Sequence, residues 1–537
     1  MTAHESPAMG QDSTPSHGLP SSAGAATGAP PGFLSEAQCQ ALVAELARYA
    51  QGGGGYTAAL IWSSWTGRVR WARNQITTSS DVRQTFIRIY RDLQGANYTG
   101  VLANETTDVG LVAAARRAER LAQLARQQPQ WELVREFPLE PLEPGAPPPS
   151  LFNAATAALT AEQRADAARA LTVQAAAAGV LSAGSIEVGA HSLAMIDTAG
   201  QMRYVPYTTA SYSVTVRDPT GESSGWAGVD WPDWSKVNAS HLTQLALDKC
   251  LKSRNPAAAE PGLYTTILEP QAVGDLVGQL VNGILGDLLS KKTALGGGPF
   301  NAEMLQTAET SHTGDHPGRA KFGERVIDAR LTLSADPLDP ELAMLPFAPN
   351  NLSLMREGNT ENSSSDTNWR GQAVYHPVKW ITNGVLTALG HARDPSGTDE
   401  AGLRTGRGLP NSGAFRLSVT GQTTSLEEMI ATTGRGILVT RFTNIEKVWS
   451  QDPDPSLLLR GYTRDGLWLI EHGQLSRPIK NFMFVESLLN VLNRVEQVGV
   501  PQRVYHPPPG VLAQPQPEIV PALKIQDFAF TALADAV

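Results

Sequence analysis

His312-Thr313-Gly314-Asp315-His316 sets two imidazoles four residues apart with a carboxylate between them, a pair that could share a metal if the segment were helical. Gly314 and Pro317 oppose a helix, so exposed, solvated histidines in a polar loop are the better reading, with a metal or pH-sensitive site as the alternative. Gly221-Glu222-Ser223-Ser224-Gly225 spells Gly-x-Ser-x-Gly, but a nucleophile elbow needs a helix directly after it. Trp226 to Trp234 holds Gly228 and Pro232 and no helical stripe, so this too reads as a polar loop after a strand. Cys250 next to Lys249 could have a lowered thiol pKa, yet Leu247 and Leu251 mark it as helix packing. His241 opens a helix, His376 precedes Pro377, and His472 sits beside Glu471 in a hairpin turn; none has a partner in sequence. The glycine runs 52–55 and 296–298 lack the Gly-Lys-Ser/Thr that completes a phosphate loop.

The element with most to position is a strand, a proline turn and a long helix starting at Pro261. From Ala272 the apolar residues Val273, Leu276, Val277, Leu280, Val281, Ile284, Leu285, Leu288 and Leu289 recur at three- and four-residue steps, one continuous helix face built for burial. Pro270 stands where its missing N–H costs nothing, and Lys291-Lys292 near the far end suit the helix dipole. The pattern by itself describes a core helix.

Around it the composition is ordinary for a globular protein. The chain has 537 residues, 41% hydrophobic and 18% charged, enough for two domains. A net charge of -9 offers no basic patch to neutralise phosphates, which disfavours nucleic-acid binding. Two cysteines, Cys39 and Cys250, make neither a disulfide framework nor a metal spacing. No apolar run is long enough to span a membrane and no signal peptide is visible, so no membrane partner and a cytoplasmic location are expected.

Along the chain, residues 1–32 are Ser, Gly, Ala, Pro and Thr, an expected disordered extension. Residues 33–255 read as an N-terminal α+β domain with a Pro-rich linker at 138–149 inside it. Helices are expected from Phe33 to the glycines at 52–55, over about 108–127, over 160–179 and over about 240–253. Strands are expected at 57–62, 69–72, 85–90, 180–195, 202–207 and 210–217, with Gly67 and Asn74 at turns. Residues 256–505 read as a mostly β domain carrying the central helix, with strands at 326–333, 373–381 and 385–389 and several after Ala414. Residues 506–537 form a tail that begins Pro-rich and ends apolar enough, from Ile525, to dock. The fold class is α+β, antiparallel strands covered by helices followed by a β-rich half.

The strand and helix at 261–280 resemble the heart of the C-terminal domain of the TldD/PmbA family of zinc peptidases. Further matches follow in order: Trp71-Ala72-Arg73-Asn74, Asn383-Gly384-Val385-Leu386, Ser425 to Phe442 with its Arg435-Gly436-Ile437-Leu438-Val439 core, and Gly466 to Lys480. In the TldD branch the helix carries His-Glu-x-x-x-His, and laid on that motif this chain has Gly274, Asp275 and Gln279. The branch's third ligand is a cysteine after the Arg-Gly-Ile-Leu-Val segment, and this chain has no cysteine after Cys250. A zinc peptidase needs imidazole or thiolate ligands and an open position for water. Gly274 and Gln279 are not such ligands, and they point about 140° apart on an ideal helix.

The resemblance is therefore to the PmbA (TldE) side of the family. It implies a subunit with no catalytic or metal residues of its own, pairing with a zinc-bearing TldD-like subunit or with itself, and acting on unfolded or extended peptides. The alternatives are a metallopeptidase working alone or as a homodimer through other ligands, with His312, Asp315 and His316 the cluster to nominate, and a binding module without proteolysis.

Overall fold

The structure, a computed structural model, describes residues 33–51, 56–93, 96–98, 102–103, 108–125, 149–197, 202–281, 323–348, 373–374, 377–387, 414–448, 458–506 and 515–534. His312, Asp315, His316, His376, the glycine runs 52–55 and 296–298, and the expected extension over 1–32 lie outside the described residues.

The N-terminal half is one antiparallel sheet. Its strands are β1 (Tyr56–Ala72), β2 (Gln75–Leu93), the short β3 (Ala96–Tyr98) and β4 (Leu102–Ala103), then β5 (Leu181–Asp197), β6 (Met202–Arg217) and β7 (Ser224–Trp231). Their order is β3-β2-β1-β5-β6-β7, with β4 also on β2. The helices are α1 (Glu36–Gln51), α2 (Asp108–Ala125), α3 (Ala154–Ala157), α4 (Ala161–Ala177) and α5 (Ala239–Lys252).

Strand alternation sends Ala59 and Ile61 to one face, where α1 and α2 cover them, and Leu60 and Trp62 to the other. Leu60 and Trp62 pack with Leu345 and Phe347 from the C-terminal half, so this part of the sheet is buried on both sides. Helix α4 starts at a capping box, Thr160 Oγ1 accepting from Gln163 N and Gln163 Oε1 accepting from Thr160 N.

Two sequence expectations change here. Gly67 is not in a turn: β1 runs straight through it, paired with Asp81 and Val188. Its lack of a side chain is needed because a Cβ there would stand 2.4 Å from Cζ of Arg164, whose guanidinium lies over this strand. The turn is at Arg73-Asn74, both at positive φ. The segments 202–207 and 210–217 are likewise one strand, held along its length by β5.

The C-terminal half contains β8 (Gly262–Leu268), α6 (Pro270–Gln279), β9 (Leu331–Ala335), β10 (Phe347–Ala348), β11 (Ala373–Val374), β12 (Val378–Thr382), β13 (Val385–Leu386) and β14 (Phe415–Val419). Then come α7 (Leu426–Ala431), β15 (Arg435–Lys447), β16 (Leu458–Glu471), β17 (Gln474–Pro478), β18 (Phe482–Ser487), α8 (Leu488–Asn493), β19 (Val495–Val498), β20 (Gln502–Val504), β21 (Glu518–Val520) and β22 (Leu523–Leu533). One sheet has the order β15-β8-β22-β18-β16-β17, and β15 also pairs with β16, so the strands from β15 round to β16 close on themselves. Phe442, Phe484, Phe528 and Phe530 fill its core.

The second sheet, β13-β12-β9-β14-β21-β20, packs with it into one apolar core. The expected strand over 326–333 begins only at Leu331, since Asp328 turns the chain by accepting from Arg330 N. The expected strand over 373–381 is described as β11 and β12, with residues 375–376 outside the described residues. The apolar stretch from Ile525 docks as part of β22, between β8 and β18. The fold is α+β, and among the described residues no helix is long and apolar enough to cross a membrane.

Candidate functional site

Helix α6 follows β8 directly, with Pro270 in its first turn. No side chain caps its N-terminus; the Glu269 backbone N–H donates to Val439 O, and the Glu269 carboxylate takes Lys249 of α5 at 2.5 Å. Ala272, Val273, Leu276 and Val277 are buried as their spacing requires. The helix is described to Gln279, with Leu280 and Val281 following in a wider turn, so the expected continuation to Leu289 lies outside the described residues.

One face of α6 has no side chains: Gly274 and Gly278, one turn apart, form a notch. The Glu518 carboxylate from β21 occupies it. A Cβ at 274 would come 2.9 Å from Glu518 Oε2 and 2.8 Å from Val504 Cγ2, and one at 278 would come 2.9 Å from Glu518 Oε1. Glu518 is 1% exposed, and its Oε1 lies 2.8 Å from Nδ1 of His506. The other ring nitrogen of His506 meets Gln516 Oε1 at 3.0 Å, and the His506 backbone N–H donates to Asp230 Oδ1 of β7 at 2.7 Å.

Asp230 is buried and paired with Arg503 at 3.2 Å. Arg503 Nε also donates to Asp230 O at 2.6 Å and Nη1 to Glu341 O at 2.8 Å, while the guanidinium lies 4.5 Å from the Trp231 ring centre. The two halves of the chain are thus joined by ionic contacts beside α6.

Asp275 is the carboxylate in the motif-like segment. Its Oδ2 accepts the backbone N–H of Phe442 at 2.8 Å, and its Oδ1 accepts from Gln271 Nε2 at 2.9 Å. Gln271 in turn holds the backbone of Tyr505, accepting from its N–H at 2.9 Å and donating to its C=O at 3.2 Å. Arg441, next to Phe442, pairs with Asp465 at 2.5 Å and lies 4.5 Å from the Trp226 ring centre. A register shift between Val439 and Arg441 aims it there.

Burial pushes the Asp275 carboxyl up to about 6, against the hydrogen bonds from Gln271 and Phe442. Burial likewise raises Glu518 to about 7, against the pull of His506. For His506 burial is the largest influence and acts downward, but Glu518, Asp230 and Gln516 together outweigh it and lift the imidazole to about 9. The cluster therefore holds protons near neutrality.

A zinc ion of the kind the resemblance places in a TldD-like partner does not fit these residues. Gly274 supplies no ligand atom, and its notch is filled by a carboxylate. Both oxygens of Asp275 and both ring nitrogens of His506 are already engaged. Gln279 offers only a half-buried amide, and among the described residues no group of three His, Cys, Asp or Glu is arranged to hold a metal ion.

The other residues singled out in the sequence are not brought to this site. Ser223 and Ser224 lead into β7, not a helix, and Ser223 Oγ lies 3.7 Å from the buried Cys250 Sγ, whose thiol is raised by burial. His241 is exposed on α5, and His472 sits at positive φ in the β16–β17 turn. Asp230, Arg503, His506 and Glu518 were not singled out from sequence. A signal existed only for Glu518, a lone acid in the apolar run Pro517 to Leu523.

A sequence profile described as the PmbA/TldA metallopeptidase C-terminal domain matches residues 261–532. No curated protein sequence matches the chain. Among solved structures, TldE from Thermococcus kodakarensis is similar at 14% identity and a TM-score of 0.66, over 91% of this chain and 99% of that one. A candidate modulator of DNA gyrase from Bacteroides thetaiotaomicron is similar at 16% identity and 0.67, over 92% and 99%. One from Thermotoga maritima is similar at 14% identity and 0.64, over 92% and 100%. At these identities the structures show a shared fold.

Proposed function

Because this chain belongs to the PmbA/TldD metallopeptidase family, we propose that it serves as a TldE/PmbA-like subunit without its own zinc centre, in a peptidase complex that acts on unfolded or extended peptides. The observation that carries this reading is the notch on α6, where Gly274 and Gly278 leave room that the Glu518 carboxylate takes. The partner is a TldD-like subunit that supplies zinc and water activation. Peptides bind by adding a strand, through backbone hydrogen bonds that tolerate many side chains. The location is cytoplasmic, in keeping with two free, buried cysteines.

The test is elemental mass spectrometry on protein purified without a metal-binding tag, followed by cleavage of a flexible polypeptide by the chain alone and mixed with a TldD-like protein from the same source. Zinc well below one per chain and cleavage only by the mixture are expected. Zinc near one per chain, or cleavage by the chain alone, would overturn the proposal.

A further inference from the structure

We propose that Asp275, Glu518 and His506 form a proton-linked clasp, holding the Tyr505-His506 corner and Asp230 of the N-terminal sheet against α6, closed when its protons are bound and opened by their loss.

The corner is gripped from three sides by groups that titrate or depend on one that does. Asp230 takes the His506 backbone N–H at 2.7 Å, and Glu518 faces the imidazole at 2.8 Å. Gln271, which binds Tyr505 N and O, is itself tied to Asp275. The charges facing the cluster are few. Arg503 of β20 neutralises Asp230, with Asp339 and Arg416 beyond it. Arg441 of β15 is committed to Asp465 of β16. Glu518, Asp275 and Asp230 thus crowd three carboxyls around one imidazole, and the carboxyls of Asp275 and Asp230 each act to raise Glu518.

The sign follows from the direction of each shift. Asp275 at about 6, Glu518 at about 7 and His506 at about 9 all stand above their ordinary values. In an opened, solvated corner each would return toward that ordinary value and release its proton. The closed form therefore binds more protons than the open form over the range from about pH 4 to 9, and rising pH favours opening. Opening frees the His506 corner from Glu518, which keeps its place in β21 between β14 and β20. The clasp does not depend on the peptidase reading, since it concerns this chain alone.

Hydrogen exchange on the full chain tests it, reading the backbone amides of His506 and Phe442 as protection factors corrected for intrinsic rates. Between pH 6 and 9 both are expected to lose at least tenfold in protection, while amides of the N-terminal sheet distant from Asp230 change little. Glu518→Gln keeps the shape of the protonated acid and removes the anion that raises His506, so its protection should stay within threefold over the same range. Asp275 gives up its proton mostly below about pH 6, so Asp275→Asn should lessen the loss of protection at Phe442 between about pH 4 and 6 and leave the fall above pH 6 nearly unchanged. Constant protection in the wild type, or an unchanged fall in Glu518→Gln, would overturn the clasp. So would failure of Glu518→Gln to fold, because the closed state favours the neutral form that the Gln side chain imitates.

Discussion

Replacing Arg503 by Met removes a charge from the junction between the two halves while keeping most of the apolar stem. Arg503 has a side chain only 4% exposed and Asp230 one 8% exposed. The variant leaves the Asp230 carboxylate with the His506 N–H but without its cation, and takes a donor from the carbonyls of Asp230 and Glu341. Breaking a buried pair by removing one partner costs about 3–5 kcal/mol, because the remaining charge is buried uncompensated. The exposed pair of Arg68 and Glu187 is the control, and Arg68→Met should cost about 0–1 kcal/mol. Urea unfolding followed by tryptophan fluorescence measures both, since Trp226 and Trp231 lie at the junction. Asp230→Asn in the Arg503→Met background should recover part of the loss, because the uncompensated anion is gone. A loss below about 1 kcal/mol for Arg503→Met, or a double variant as unstable as the sum of the singles, would refute the argument.

Asp275→Ala leaves the Phe442 N–H without its acceptor and should cost about 1–3 kcal/mol by the same unfolding assay. Asp275→Asn keeps the acceptor for Phe442 but turns its NH2 toward Gln271 Nε2, a constant cost; because the folded carboxyl is raised to about 6, the wild type gives up stability as pH climbs from its ordinary range through 6, and the Asn variant should gain on it over that interval. Gly67→Val places methyl groups against an Arg164 guanidinium that is itself held by Asp81 at 2.8 Å and Leu159 O at 2.7 Å, and should cost about 1–3 kcal/mol; an unchanged midpoint would mean that Arg164 swings aside freely.

Period and punctuation carried the sequence reading where burial is one-sided. The stripe from Ala272 to Val277 is buried as read, and α4 and α5 start within a residue or so of their expected places because Thr160 and Asn238 cap them. Gly67 misled because a glycine signals a turn only when its neighbours need one, and here it makes room for a side chain from a helix almost a hundred residues later. The candidate site was half legible. Asp275 could be picked out on its helix, but the rest of the cluster arrives from β7, β20, β21 and β15, and no local pattern links Asp230 to His506.

The position of Asp275 explains why a carboxylate belongs there without any metal. Strand β8 pairs with β15 only from Gly436 to Val439, since the chain leaves the sheet at Leu268 to begin α6. Beyond that point β15 still pairs with β16 on one side, but on the other it has no strand partner among the described residues. A buried N–H left unpaired is costly, and Phe442 sits within the core, only 4% exposed. Asp275, one turn into the helix that replaced the strand, reaches back to accept that N–H. The strand-to-helix change thus creates the orphan donor and brings its acceptor. An acid at this place is accounted for by the fold's own hydrogen bonding, and only a function that survives in Asp275→Asn but fails in Asp275→Ala would be explained by that bond alone.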